Sequence, residues 1–182
     1  MKKRSIAMVM ALVLLLVCAT AGTLAWLTAK SETVTNMFTV SGITVDLKET
    51  TGDEYQMIPG YTIGKDPIAT VKANSEACYL FVKVIESDNF DDYMTYDMAD
   101  GWTALDGVDG VYYREVAAGT ADQNFTVLKD DQVSVRGTVD EADMTAAETD
   151  KPTLTFNVYA SQLMKDNTNK FTAAEAWDNL GL

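Results

Sequence analysis

The strongest constraint on this chain is the period-two alternation of its apolar residues. Val34, Asn36, Phe38 and Val40 fall on one side of an extended segment, with Thr35, Met37 and Thr39 on the other. After a Ser41-Gly42 break, Ile43, Val45 and Leu47 alternate with Thr44, Asp46 and Lys48. Near the far end, Leu154, Phe156 and Val158 alternate with Thr153, Thr155, Asn157 and Tyr159. Successive side chains of a strand point to opposite faces, so these runs predict strands with one face buried. Residues 79–85 are nearly all apolar apart from Lys83, which predicts a central strand covered on both faces. Residues 68–73, 111–116, 125–128 and 133–135 are further strand candidates.

Turn chemistry separates these runs. Pro59-Gly60, Asp106-Gly107, Asp109-Gly110 and Lys129-Asp130-Asp131 are loop or hairpin positions. Two stretches read as helical, residues 140–148 and 172–179, the second with Thr172 as N-cap. Many short strands with few helices indicate an all-β domain, a jelly-roll-like β-sandwich with one or two short peripheral helices. No internal repeat, low-complexity tract or linker divides it.

The first 25 residues obey other rules. Lys2-Lys3-Arg4, an apolar run over residues 6–18 and then small residues form an export signal. A signal-peptide helix is therefore expected ahead of a single domain over residues 26–182. Two cleavage positions compete, after Ala19-Thr20-Ala21 and after Thr23-Leu24-Ala25. A lipoprotein signal at Cys18 is disfavoured by Val17, where a small residue is needed. Residues 5–29 carry no charge, so a retained membrane anchor is the rival, and its positive N-terminal flank still leaves the domain outside. The expected location is extracellular, with membrane contact only through an uncleaved signal segment.

Charge narrows the partners. Losing Lys2, Lys3 and Arg4 with the leader leaves 11 bases against 27 acids, a net charge of −16. That field repels nucleic acid and anionic headgroups, so no nucleic-acid partner is expected. Cys18 leaves with the signal and Cys78 remains alone in an apolar run, which predicts a buried, inert thiol.

The chain contains no histidine. Ser-His-Asp and Cys-His nucleophile pairs and an H-E-x-x-H zinc site are excluded, and one cysteine cannot build a thiolate zinc site. No Gly-rich phosphate loop occurs. Paired carboxylates could hydrolyse glycosides, but nothing singles out a pair. The expectation is a protein that is not an enzyme and has no cofactor or metal. Asp88, Asp91 and Asp92, and likewise Asp97, Asp100, Asp106 and Asp109, invite a calcium reading, yet no EF-hand or nonapeptide repeat is present and solvated loops are expected. Asn124-Phe125-Thr126 fits the glycosylation sequon, a three-residue pattern that arises often by chance.

Gly22-Thr23-Leu24-Ala25-Trp26-Leu27-Thr28, followed by Val34-Thr35-Asn36-Met37-Phe38-Thr39-Val40-Ser41-Gly42 and Ile43-Thr44-Val45-Asp46-Leu47, resembles the start of TasA/camelysin-type proteins. Met57-Ile58-Pro59-Gly60, Lys65-Asp66-Pro67 and the polar turn Ala73-Asn74-Ser75-Glu76 continue the resemblance. It is best over roughly residues 1–90, and is closer to the shorter clostridial relatives than to TasA itself. The resemblance implies export in a Gram-positive bacterium, a SipW-type signal peptidase as partner, and cleavage at Thr23-Leu24-Ala25 that leaves Trp26 first. It also implies a jelly roll and self-assembly, or assembly with related matrix proteins, into biofilm fibres. In that family the mature N-terminal segment inserts as an extra strand into a neighbour. Residues 26–40 are then the candidate donor strand, with Trp26, Val34, Phe38 and Val40 as its buried side chains; the competing expectation is that the same segment is the first strand of its own sandwich. Camelysins have been labelled metalloproteases, an activity that a chain without histidine or a zinc motif does not inherit.

The leading expectation is thus a secreted structural protein of the cell surface or biofilm matrix, a fibre subunit or accessory. The alternative is a monomeric extracellular binding module for carbohydrate or surface adhesion, using Trp102, Tyr112 and Tyr113.

Overall fold

The computed structural model describes residues 42–52 and 55–182, all within a unit that begins at Val40. The signal segment, the cleavage residues Thr23, Ala25 and Trp26, and the candidate donor residues Val34, Phe38 and Val40 lie outside the described residues.

The described residues form ten strands in three antiparallel sheets. β1 (Val45–Lys48), β3 (Ile68–Val71) and β8 (Gln123–Thr126) make one, with β3 in the middle. β10 (Leu154–Gln162), β4 (Cys78–Glu86), β7 (Val111–Val116) and β6 (Thr103–Ala104) make the largest, in that order. β2 (Thr62–Gly64), β9 (Gln132–Val135) and β5 (Met94–Thr95) make the third, with β9 central. Short helices α1 (Phe90–Tyr93), α2 (Glu141–Thr149) and α3 (Ala173–Asp178) lie between or after strands. The domain is all-β. No helix among the described residues is long and apolar enough to cross a membrane.

β4 organises the molecule. Its β-branched and aromatic residues suit a pleated, packed surface, and it pairs with β10 from Cys78↔Gln162 to Glu86↔Leu154 and with β7 from Cys78↔Val116 to Lys83↔Val111. Cys78, Leu80, Val82 and Val84 face a core shared with Ala69 and Val71 of β3, Val133 and Val135 of β9, and Phe156 of β10. Tyr79 and Phe81 point the other way, into a second core with Leu105, Leu163 and Trp177. The Phe81 ring meets Trp177 edge-on at 5.2 Å, and Tyr159 meets the same indole at 5.6 Å. The near-unbroken apolar run predicted for a doubly covered strand has this cause: both faces of β4 are buried. Cys78 is fully buried, and desolvation pushes its thiol up to about 11.

The local signals hold where side chains close hydrogen bonds. Asp140 accepts from the amides of Ala142 and Asp143 at the start of α2, and Asp143 accepts in return from the Asp140 amide, which completes a capping box. Thr172 and Glu175 do the same for α3. The Tyr61 amide donates to the Ile58 carbonyl (3.0 Å) across Pro59-Gly60. Gly110 is required where it stands: its φ is +69°, and a β-carbon there would lie 2.4 Å from the Val84 carbonyl oxygen. β2, β5, β6 and α1 were not expected. Each spans four residues or fewer, too short for a periodic pattern to register.

Candidate binding cleft

A cleft of about 910 Å³ opens where the three sheets meet beside α2. Its apolar side is made by Leu47 of β1, Ile63 of β2, Met94 of β5, Val133 of β9, Phe156 of β10 and Met144 of α2, and Glu49, Gln56, Lys65, Glu148 and Lys151 supply polar groups. The apolar strand positions are the inward half of each strand's alternation, so burying the cores also creates the cleft. β1 and β10 run close together here without pairing. Among the described residues β1 is hydrogen-bonded only to β3, and β10 only to β4.

One ion pair sits in this setting. Lys65 follows β2, and its amide donates to the Asp131 carbonyl at 2.7 Å, which fixes the backbone. Its side chain is 11% exposed and its ammonium lies 2.6 Å from Glu49 Oε1, on a side chain 28% exposed. The same nitrogen stands 5.2 Å from the Tyr55 ring centroid and 5.7 Å from that of Phe156, within cation–π range. Tyr55 donates its hydroxyl proton to Glu49 Oε1 at 3.2 Å.

Asp66 ties the two sides of the pair together. Its carboxylate accepts from the hydroxyl and amide of Thr50 (amide 2.8 Å) and from the hydroxyl (2.9 Å) and amide (3.0 Å) of Thr51. These bonds, the Thr50 hydroxyl first among them, hold the Asp66 carboxyl well below the usual carboxylate range. The residues after Glu49 are thereby clamped to the residue after Lys65.

The opposite seam, between β7 and β8, is filled. The Arg114 guanidinium of β7 lies 4.1 Å from the Phe125 ring centroid of β8 and 5.3 Å from that of Trp102. The Trp102 indole N–H donates to the Thr126 carbonyl at 2.8 Å, which pins the loop before β6 across the seam. Gly101, at φ +88°, brings that loop over the guanidinium. Arg114 Nε is buried without a hydrogen-bond partner, and desolvation lowers the guanidinium's proton affinity.

The aromatic platform of the alternative reading is not assembled. Tyr112 and Tyr113 are consecutive in β7 and project to opposite cores, while Trp102 is committed to Arg114 and Thr126. Tyr112 instead borders a hollow of about 490 Å³ with Glu86, Asp91, Tyr96 and Asp97. There the Tyr96 hydroxyl donates to Glu86 at 2.6 Å, and burial, reinforced by Glu86, raises the phenol's pKa. Asp91 and Asp92 sit in α1, and among the described residues no three His, Cys, Asp or Glu side chains converge to hold a metal. Sequence reasoning missed the cleft and Lys65. The Lys65-Asp66-Pro67 motif was the one signal that pointed there.

The chain matches no protein-family model, no curated protein and no solved structure.

Proposed function

We propose that this chain is a secreted, non-enzymatic structural protein of the cell surface or biofilm matrix, of TasA/camelysin type, whose copies join by strand addition. A SipW-type peptidase removes residues 1–25, the body is a jelly-roll sandwich, and residues 26–40 of one copy enter the cleft of the next. The observation that carries this reading is the cleft, lined by two strands, β1 and β10, that each have a hydrogen-bonded partner on one edge among the described residues. Such an edge supplies unpaired backbone donors and acceptors for an incoming strand, and alternate side chains fill the pocket beneath.

Charge supports the same pairing. In a mature chain of −16, residues 26–40 carry Lys30 and the new α-amino group of Trp26 against one acid, Glu32. The cleft lining balances, with Glu49 and Glu148 against Lys65 and Lys151. A segment without excess acid meets a balanced lining while the remaining acidic surfaces repel, a repulsion weakened by salt and by protonation of carboxylates near pH 4. Assembly is therefore faster at high ionic strength or low pH.

Electron microscopy and light scattering of protein starting at Trp26 test the reading. Fibres are expected from this chain, and none from a chain starting at Ser41. Equal assembly by both, or persistent monomers of the longer one in high salt, overturns it.

A further inference from the structure

Helix α2 forms one side of the cleft through Met144, Ala147 and Glu148, and little holds it there. Ala147 is its one buried residue, and Met144 is half-buried. Its side-chain hydrogen bonds stay within the helix and its cap: Asp140 and Asp143 close the first turn, and the Thr145 hydroxyl donates to the Glu141 carbonyl at 2.9 Å. Among the described residues no ion pair reaches it. Helix α3 is fastened differently. Its Trp177 packs edge-on against Phe81 and Tyr159, and its Glu175 pairs with Lys165 at 3.1 Å.

The two ends of α2, by contrast, are tied down. Ahead of it, Val139 is buried and the Arg136 amide donates to the Tyr93 carbonyl at 2.8 Å. Behind it, Asn89 Nδ2 donates to the Asp150 carbonyl at 2.8 Å. The Ser87 amide donates to the Thr153 carbonyl (3.0 Å), and the Thr153 amide donates to Ser87 Oγ (2.9 Å). A segment pinned at both ends and loosely packed between them can swing without detaching.

We propose that α2 is a hinged cover, anchored at Val139 and Asp150, that opens and closes the part of the cleft lined by Phe90, Met94 and Phe156. This goes beyond the strand-addition reading and stands without it. Phe90, Met94 and Phe156 are buried, and Met144 and Ala147 belong to the same apolar cluster. Lifting α2 gives up that burial, so the closed form is the resting one and the open form is the minor one. The capping box and the alanines at 142, 146 and 147 favour the helix from within. Opening therefore costs packing at Met144 and Ala147 and few hydrogen bonds.

The test sets a thiol under the cover with Met94→Cys in the full chain, adds iodoacetamide, and follows positions 94 and 78 separately by peptide mapping. Cys78 is fully buried in the same core but does not line the cleft, so its labelling reports global unfolding. Position 94 is expected to label at least tenfold faster than Cys78. Two variants loosen the cover by different routes. Met144→Ser removes its main apolar anchor, and Asn89→Ala, outside the cleft lining, cuts the tie to Asp150. Each is expected to speed labelling at position 94 at least threefold with Cys78 unchanged. If Met144→Ser also speeds Cys78, the fold has loosened and Asn89→Ala alone decides. Acceleration by Met144→Ser alone, with Cys78 unchanged, means that a smaller side chain has widened a fixed opening, and overturns the hinge. No acceleration by either variant, or equal labelling at positions 94 and 78, also overturns it. None of these outcomes alters the comparison of chains starting at Trp26 and Ser41, which tests strand addition by itself.

Discussion

The two seams of the molecule use the same ingredients, a long cation and aromatic rings, to opposite effect. At the β7–β8 seam, Arg114 is stacked on Phe125 and Trp102, and the indole is bonded to the Thr126 carbonyl of the edge strand. At the β1–β10 seam, Lys65 lies beside Tyr55 and Phe156, but the space around it stays open as a cleft. The difference lies in what crosses the gap. A tryptophan spans the first seam and donates a hydrogen bond on the far side. Nothing among the described residues bonds β1 to β10 across the second. One seam is closed by a side chain, and the other is not bridged by any described residue.

That contrast can be broken by measurement. Trp102→Ala removes a large ring and the bond to Thr126, and is expected to lower unfolding free energy by about 3 kcal/mol in urea titration. A loss under about 1 kcal/mol would mean that the filled seam does not hold the monomer together. Lys65→Met at the open seam is expected to change the stability of the isolated monomer by no more than about 1 kcal/mol, because Glu49, 28% exposed, can turn to water. A loss matching that of Trp102→Ala would show the cleft region to be as much a part of the core as the other seam.

The smallest expected effect is a dependence on pH. The Asp66 carboxyl is held below its ordinary value of 3.8, so its bonds to Thr50 and Thr51 favour the folded state wherever the unfolded carboxyl is ionised. Thermal melts should show the unmodified chain more stable than Asp66→Asn by a constant margin above about pH 5. The margin should shrink as pH falls below 3.8 toward the depressed folded value. A margin that grows on acidification would reverse the sign and remove the tether from the account. The cleft wall therefore stays clamped through mildly acidic pH.

How much of this was legible depended on the range of each interaction. Period-two spacing located β1 and β10, and a nearly unbroken apolar run located β4, because both patterns are local properties of the chain. Residues 140–148 read as helical and match α2, and Thr172 announced α3 because a cap acts within three residues. The cleft was not legible, since Leu47, Ile63, Val133 and Phe156 become neighbours only through packing of distant strands. Lys65 appeared as part of a motif, with nothing in its immediate neighbours to say that it would be 9% exposed. Trp102, Tyr112 and Tyr113 looked like one surface because they are close in sequence, yet β7 sends successive residues to opposite sides.

The pairing of β4 with β10 has a consequence for the order of events during synthesis. Cys78 meets Gln162, and Glu86 meets Leu154, so the principal sheet cannot zip up until nearly the whole polypeptide has left the ribosome. Until then its most apolar strand lacks a mate on one flank. Such lateness keeps the nascent chain open, rather than locked into its main sheet, for most of its synthesis.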